Sequence, residues 1–212
     1  MQDLKKQPFN AYLDFPPENL IERIWQELRR APHDRHHDWK RPALASVGLD
    51  GTPQVRTVIL RDADVDLWTL TAYTDARSAK CSELIQYGAA QLVFWSARLN
   101  WQLRVTSTVV VHTDGIQVSN AWAKVSQTHA SKDYLSELAP GSVLLQNHGE
   151  DKAVAKGSNA SNASNASNAS NGDHYLAVLS FQVQSIDWLA LDREGHCRAR
   201  IFHDGQIVAL TP

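Results

Sequence analysis

Residues Arg56–Lys80 read RTVILRDADVDLWTLTAYTDARSAK, two β-type runs that each end among basic residues. The first, Arg56-Thr57-Val58-Ile59-Leu60-Arg61, is rich in β-branched side chains, which suit a pleated strand. Its two arginines are five positions apart, so strand alternation sends them to opposite faces and to different sites. The second run, Leu67–Tyr73, feeds Thr74-Asp75-Ala76-Arg77-Ser78-Ala79-Lys80, which reads as a turn opening a helix. A helix start presents backbone N–H groups that lack intrahelical acceptors. With Arg77, Ser78 and Lys80 beside them, these form a natural phosphate seat. Asp75 would repel that phosphate and is assigned as the helix cap.

The rest of the chain limits what such a seat can serve. At 212 residues and 43% apolar composition the chain can bury a sizeable core, and residues 1–212 are expected to form one domain. A formal charge of -2 and a pI near 6.5 give no global field for nucleic acid or an acidic membrane, so anion binding must be local and the ligand small. No stretch is long and apolar enough to read as a membrane span. Met1–Phe15 lacks the unbroken apolar core of a signal peptide. Together with only two cysteines, Cys81 and Cys197, read as reduced thiols, this points to the cytoplasm.

Upstream, residues 1–40 read as a helical extension. Leu20, Ile21, Ile24, Trp25 and Leu28 recur at helical spacing after Pro16-Pro17 and predict a docking helix. Arg35-His36-His37-Asp38 lacks the spacing that puts metal ligands on one face, and is expected to be a solvated loop, with no metal site. Ala43–Gly48 and Gln54–Arg61 are two strands about an Asp50-Gly51 hairpin turn.

Downstream, a helix around Leu84 and Ile85 stops near Gly88, and strands follow at Gln91–Trp95 and Leu99–His112. Ile116–Tyr134 reads as helical in its middle, before the turn residues Ala139-Pro140-Gly141-Ser142. Residues 157–172, GSNASNASNASNASNG, carry no side chain able to build a core and read as a flexible linker spanning on the order of 20 Å. Its Asn-Ala-Ser sequons, Asn159 to Asn168, would stay unmodified without export. Tyr175–Trp188 returns to strand, and Arg198–Val208 closes with a second hairpin at Asp204-Gly205. Many antiparallel strands with few helices define a mainly β chain folded as a barrel.

Four ordered segments carry a family resemblance: ALASVGLDGTPQVRTVILR, AYTDARSAK, NWQLRV and IDWLALDREGHCRARIF. From Ala43 to Pro212 the chain resembles the pyridoxamine 5′-phosphate oxidase family, the FMN-binding split barrels. It looks most like the branch with a Thr-Asp-x-Arg-Ser-x-Lys turn. The resemblance implies an antiparallel split β-barrel that binds FMN between the subunits of a homodimer. Arg56, Thr57, Val58 and Ile59 would border the flavin, with Arg56 toward its phosphate, and Arg61 would lie near the ring. Tyr73 and Thr74 would line the ribityl chain, while Arg77, Ser78 and Lys80 would take the phosphate. Gln102, Trp188 and Arg200 would reach the flavin from the partner subunit. His196-Cys197-Arg198 reverses the Arg-x-His order with which the vitamin B6 oxidase grips its substrate, leaving Arg198 as the candidate substrate contact. Lys132, near Tyr134, is the cation available where that enzyme places a substrate-phosphate arginine.

Three functional classes fit these residues. They are an FMN oxidase of pyridoxamine or pyridoxine phosphate, a nicotinamide-dependent FMN reductase, and a non-catalytic flavin carrier or sensor. The reversed His-x-Arg order disfavours the first. The absence of a Gly-rich dinucleotide loop does not decide the second, since split barrels need none.

Overall fold

The computed structural model describes residues 19–144, 174–193 and 195–212. The readings for the first 15 residues and for the 157–172 tract lie outside the described residues. Among the described residues, no helix is long and apolar enough to cross a membrane.

Helix α1, Leu20–Arg30, is the docking helix that its periodicity predicts, burying Leu20, Ile24, Trp25 and Leu28. Each such side chain gains roughly 1.5–3 kcal/mol on full burial. Trp25 lies 5.5 Å from Trp68, which stands just before a strand of the sheet. The solvated-loop reading of Arg35–Asp38 is corrected at two positions. His37 is buried, its Nδ1 accepting the Trp39 N–H at 3.1 Å while Nε2 meets Glu27 Oε2 at 2.7 Å. Asp38 accepts the Ser96 hydroxyl at 2.9 Å. His37 ties the segment back to α1 and Asp38 ties it to Ser96 of the sheet, so both are structural.

Among the described residues the sheet has nine strands, all antiparallel: β1 Ala43–Val47, β2 Pro53–Thr57, β3 Leu60–Asp64, β4 Thr69–Asp75, β5 Ala89–Ser96, β6 Trp101–His112, β7 Leu176–Ala190, β8 Cys197–Phe202 and β9 Ile207–Leu210. Its main path runs β2-β1-β5-β6-β7-β4-β3, with β8 on β7 and β9 on β8. The path is open, and its two ends, β2 and β3, are joined by Val58 and Ile59 alone. Six inter-strand gaps span roughly 29 Å if laid flat, whereas two residues reach less than about 10 Å. The sheet must therefore curl until its ends meet, as a barrel split along that seam. The single strand expected over Gln54–Arg61 is thus two strands. At the break, Val58 N–H donates to Pro42 O at 3.0 Å, carrying the β1–β2 register one residue past the end of the strands.

Alternation sorts the side chains: in β6, Trp101, Leu103 and Val105 are buried while Gln102, Arg104 and Thr106 face outward. The two Asp-Gly turns form as expected. Gly51 and Gly205, at φ 81° and 84°, take left-handed conformations that a side chain would strain. β7 pairs with β4 over its first half, with β8 over its second, and with β6 along nearly its whole length.

Helix α2, Ala79–Tyr87, follows β4 and ends at Gly88. Helix α3, Gly115–Val125, is shorter than the 116–134 expectation, and a separate 3-10 turn covers His129–Tyr134. The helix stops because Thr128 turns its hydroxyl back onto Val125 O at 2.8 Å, a local bond that competes with helix propagation. α3, Tyr134 and the start of β7 enclose a second apolar cluster of Val118, Ala121, Val125, Leu176 and Val178, with Tyr73 against it.

Candidate functional site

The turn from β4 to α2 gathers hydroxyls and cations at one helix start. Ser78, not Asp75, is the N-cap of α2, which corrects the sequence assignment. Its hydroxyl donates to Asp75 O at 2.7 Å and makes no cap bond, so the first-turn N–H groups of α2 are not satisfied by that side chain. Lys80 Nζ donates to Thr74 Oγ1 at 2.9 Å, and Thr74 Oγ1 lies 3.3 Å from Ser78 Oγ. Burial lowers the Lys80 pKa, and the Arg56 charge lowers it further. Arg56 is anchored by its Nη2–H to Glu83 Oε2 at 2.7 Å, and its Nη1 donates to Ser46 Oγ. Thr57 and Ile59 are exposed at the seam, and Val58 is buried between them.

Arg77, at the same turn, is held by several neighbours. Its Nε and Nη2 grip Asp75 at 3.1 and 2.7 Å, and further N–H groups reach the carbonyls of Ser136 and Glu137. Its guanidinium also stacks 3.4 Å from the Tyr175 ring centroid. These contacts commit the fork to neighbours and cancel the Asp75 charge that would have repelled a phosphate. The groups that converge at this helix start are Thr74, Ser78, Lys80 and the α2 amides, with Arg56 and Arg77 each held by a carboxylate.

Arg61 lies on β3, beyond the break, so its separation from Arg56 comes from two distinct strands and not from alternation along one. It stands at an irregularity of the β3–β4 ladder, with its guanidinium 5.5 Å from the Tyr73 centroid. Burial raises the pKa of the nearby Tyr134, and the Arg61 charge partly offsets this. The Arg61 Nε is buried without a partner among the described residues.

A third grouping lies on the outer face of β6, β7 and β8. Asp187 is nearly buried and sits opposite Arg104 on one side and Arg200 on the other. Arg198 donates Nε–H and Nη2–H to the two Asp187 oxygens at 2.9 Å each, Arg104 donates at 2.8 Å, and Arg200 lies at 3.5 Å. Burial pushes the Asp187 pKa up, but the bonds from Arg198 and Arg104 outweigh it and hold the carboxyl below its ordinary value. Gln102 is on the same face, two residues before Arg104. Trp188 is not: it is 2% exposed and packs edge-on against Trp101 at 5.4 Å. Strand parity turns it into the core. His196 Nδ1 accepts the Asp192 N–H at 3.2 Å, Cys197 is buried, and Lys132 lies in the 3-10 turn before Tyr134.

Glu83, Asp187 and Arg104 escaped the sequence reading. The signal for Asp187 was an acid inside the apolar run SIDWLA, and for Glu83 an acid beside the buried Cys81 and Leu84 of α2.

The donor set at the α2 start fits the phosphate end of FMN: a lysine, two hydroxyls, an arginine and uncapped amides, with no unmatched carboxylate. Comparison with known proteins agrees. A family model described as the pyridoxamine 5′-phosphate oxidase FMN-binding domain matches residues 22–113. The pyridoxine/pyridoxamine 5′-phosphate oxidase of Myxococcus xanthus is 32% identical over 141 residues, covering 60% of this chain and 67% of that one. The enzyme of the same description from Thermosynechococcus vestitus is 44% identical over 66 residues, 31% of this chain and 30% of its own length. The chain thus spans under a third of that relative. In fold, it is similar to a pyridoxamine 5′-phosphate oxidase-related FMN-binding protein of Nostoc punctiforme, with TM-score 0.64, 19% identity, and coverage of 90% of this chain and 96% of that one. PhzG of Burkholderia lata, solved with tetrahydrophenazine-1-carboxylic acid, gives TM-score 0.64 at 17% identity, covering 98% of both chains. The fold is that of the FMN-binding split barrels. The chain belongs to the pyridoxamine 5′-phosphate oxidase family, whose matched domain binds FMN.

Proposed function

We infer that the chain is an FMN-dependent oxidoreductase acting on a small molecule, working as a cytoplasmic homodimer with the flavin between subunits. The observation that carries this reading is the anion seat at the start of α2, where Lys80, Thr74 and Ser78 converge beside Arg56. Lys80 and the α2 amides would bind the FMN phosphate. Arg56, fixed by Glu83, would hold its far side, and Tyr73 with Thr74 would border the ribityl chain. Bound there, the flavin supplies hydride-transfer chemistry. The half-buried Gln102 and the exposed Arg200 fit contact with the flavin of the other subunit, and two buried thiols outside any disulfide fit a reducing compartment.

Within that class, a substrate other than pyridoxamine phosphate is favoured by His196, which holds its own loop through the Asp192 amide while Arg198 holds Asp187. The purified protein is expected to be yellow or to take up FMN, read from its visible absorption spectrum. A colourless protein indifferent to added FMN would sink the proposal. Peroxide release on adding pyridoxamine 5′-phosphate in air marks the oxidase reading, and anaerobic bleaching by a nicotinamide marks the reductase reading.

A further inference from the structure

We propose that Glu83 is the positioning residue of the anion seat: from the buried side of α2 it aims Arg56, and its negative charge lets Arg56 and Lys80 serve one anion. The β1–β2 ladder sets Leu44 opposite Arg56 and Ser46 opposite Gln54, so Ser46 and Arg56 lie on one face of the hairpin. That face meets α2. Arg56 Nη2–H donates to Glu83 Oε2 at 2.7 Å, the Ser46 hydroxyl donates to the same oxygen at 2.5 Å, and Arg56 Nη1–H donates to the Ser46 oxygen. Side chains from β1, β2 and α2 thus close a ring of hydrogen bonds on a single carboxylate oxygen. The Glu83 side chain is 7% exposed and that of Arg56 22%, so the carboxylate backs the guanidinium from the core side. A guanidinium held at two points has a fixed plane, which sets where it can meet a phosphate.

Charge gives Glu83 its second task. Lys80 stands three residues before Glu83 on α2, one helical turn away, so the carboxylate acts on both cations. Burial and the Arg56 charge on β2 work against the Lys80 proton, whereas Cys81 and Glu83 on α2 and Asp75 of β4 favour it. Asp75 is already matched by Arg77. Glu83 is thus the acid that offsets Arg56, and without it two cations would crowd one partly buried turn. Lys80 would answer by releasing its proton sooner. With Glu83 in place the three groups carry one net positive charge, and an arriving phosphate meets both donors charged. The link to FMN rests on the reading above of the α2 start as its phosphate seat.

The test pairs Glu83→Gln with Ser46→Ala. The first keeps the shape and an acceptor oxygen but removes the charge, and the second keeps the charge but opens the ring. In FMN-free protein, NMR titration of isotope-labelled lysine side chains follows Lys80 directly, its signal assigned by its loss in Lys80→Arg. The Lys80 midpoint should fall to lower pH in Glu83→Gln and stay in place in Ser46→Ala. Fluorescence titration should show the alkaline limb of FMN affinity moving with that midpoint in Glu83→Gln. Ser46→Ala should instead weaken FMN roughly tenfold at every pH, the loss of one charge-assisted bond. An unmoved Lys80 midpoint in Glu83→Gln overturns the charge role, however tightly FMN binds. Wild-type FMN affinity in Ser46→Ala overturns the aiming role. Tighter FMN binding by Glu83→Gln at every pH would make Glu83 a merely repelling charge and overturn the proposal. If the flavin reading fails, the Lys80 midpoint still decides the charge role, and calorimetric titration with inorganic phosphate replaces FMN for the aiming role. A protein that binds neither FMN nor phosphate overturns the seat and the proposal with it.

Discussion

Lys80 has to carry a proton to hold a phosphate, and its surroundings work against that proton. Burial and then the Arg56 charge depress its pKa from the ordinary 10.5. The charged form binds the phosphate, so FMN affinity should be full below the depressed Lys80 pKa and decline as pH rises through it, earlier than an exposed lysine would allow. Fluorescence titration of FMN across the alkaline range should show that limb. Lys80→Ala should remove it and weaken binding roughly ten- to a hundredfold, the equivalent of one charge-assisted bond of about 1.5–3 kcal/mol. Wild-type affinity that is flat with pH would show the phosphate lies elsewhere. The sequence placed Arg77 and Lys80 in one seat because both are basic and close to the turn. Their tasks differ because Asp75 lies two residues before Arg77, within reach of its fork, while Lys80 points back to Thr74. That partition depends on local turn geometry, which residue types alone do not specify.

At the level of elements, α1 contributes stability without touching the phosphate turn. Leu28 is fully buried, so Leu28→Ala should cost about 2–5 kcal/mol. Urea denaturation would show this as a lower midpoint, and the folded fraction should keep wild-type FMN affinity. A loss of FMN affinity in step with stability would instead tie α1 to the site. α1, the hairpin turns and the alternation of β6 were legible because each is a short-range pattern: 3.6-residue spacing, an Asp-Gly pair, every second residue apolar. The break between β2 and β3 was not, because Val58 and Ile59 are as β-prone as their neighbours, and the seam exists only because the sheet curls. Asp187 was hidden for a related reason: its Arg104 partner is 83 positions away and meets it only through the β6–β7 register.

For the molecule as a whole, the proposed dimer makes a concentration-dependent claim. If Gln102 and Arg200 complete the flavin site across the subunit boundary, FMN affinity should fall at protein concentrations where sedimentation shows monomers. Tight FMN binding by a verified monomer would confine the site to one chain. Flanking these residues, Trp95 opposite Gln102 and Val208 opposite Arg200 are 45% and 40% exposed, apolar surface suited to burial against a second copy. The threefold pairing of β7 bears on how this chain is made. While residues 176–190 are still inside the ribosome, the emerging polypeptide holds β4 and β6 with one open edge each, inviting edge-to-edge association. The barrel therefore cannot assemble progressively from its N-terminus. It closes late in synthesis, through distant pairings that are slow to form and that leave strand edges open until then.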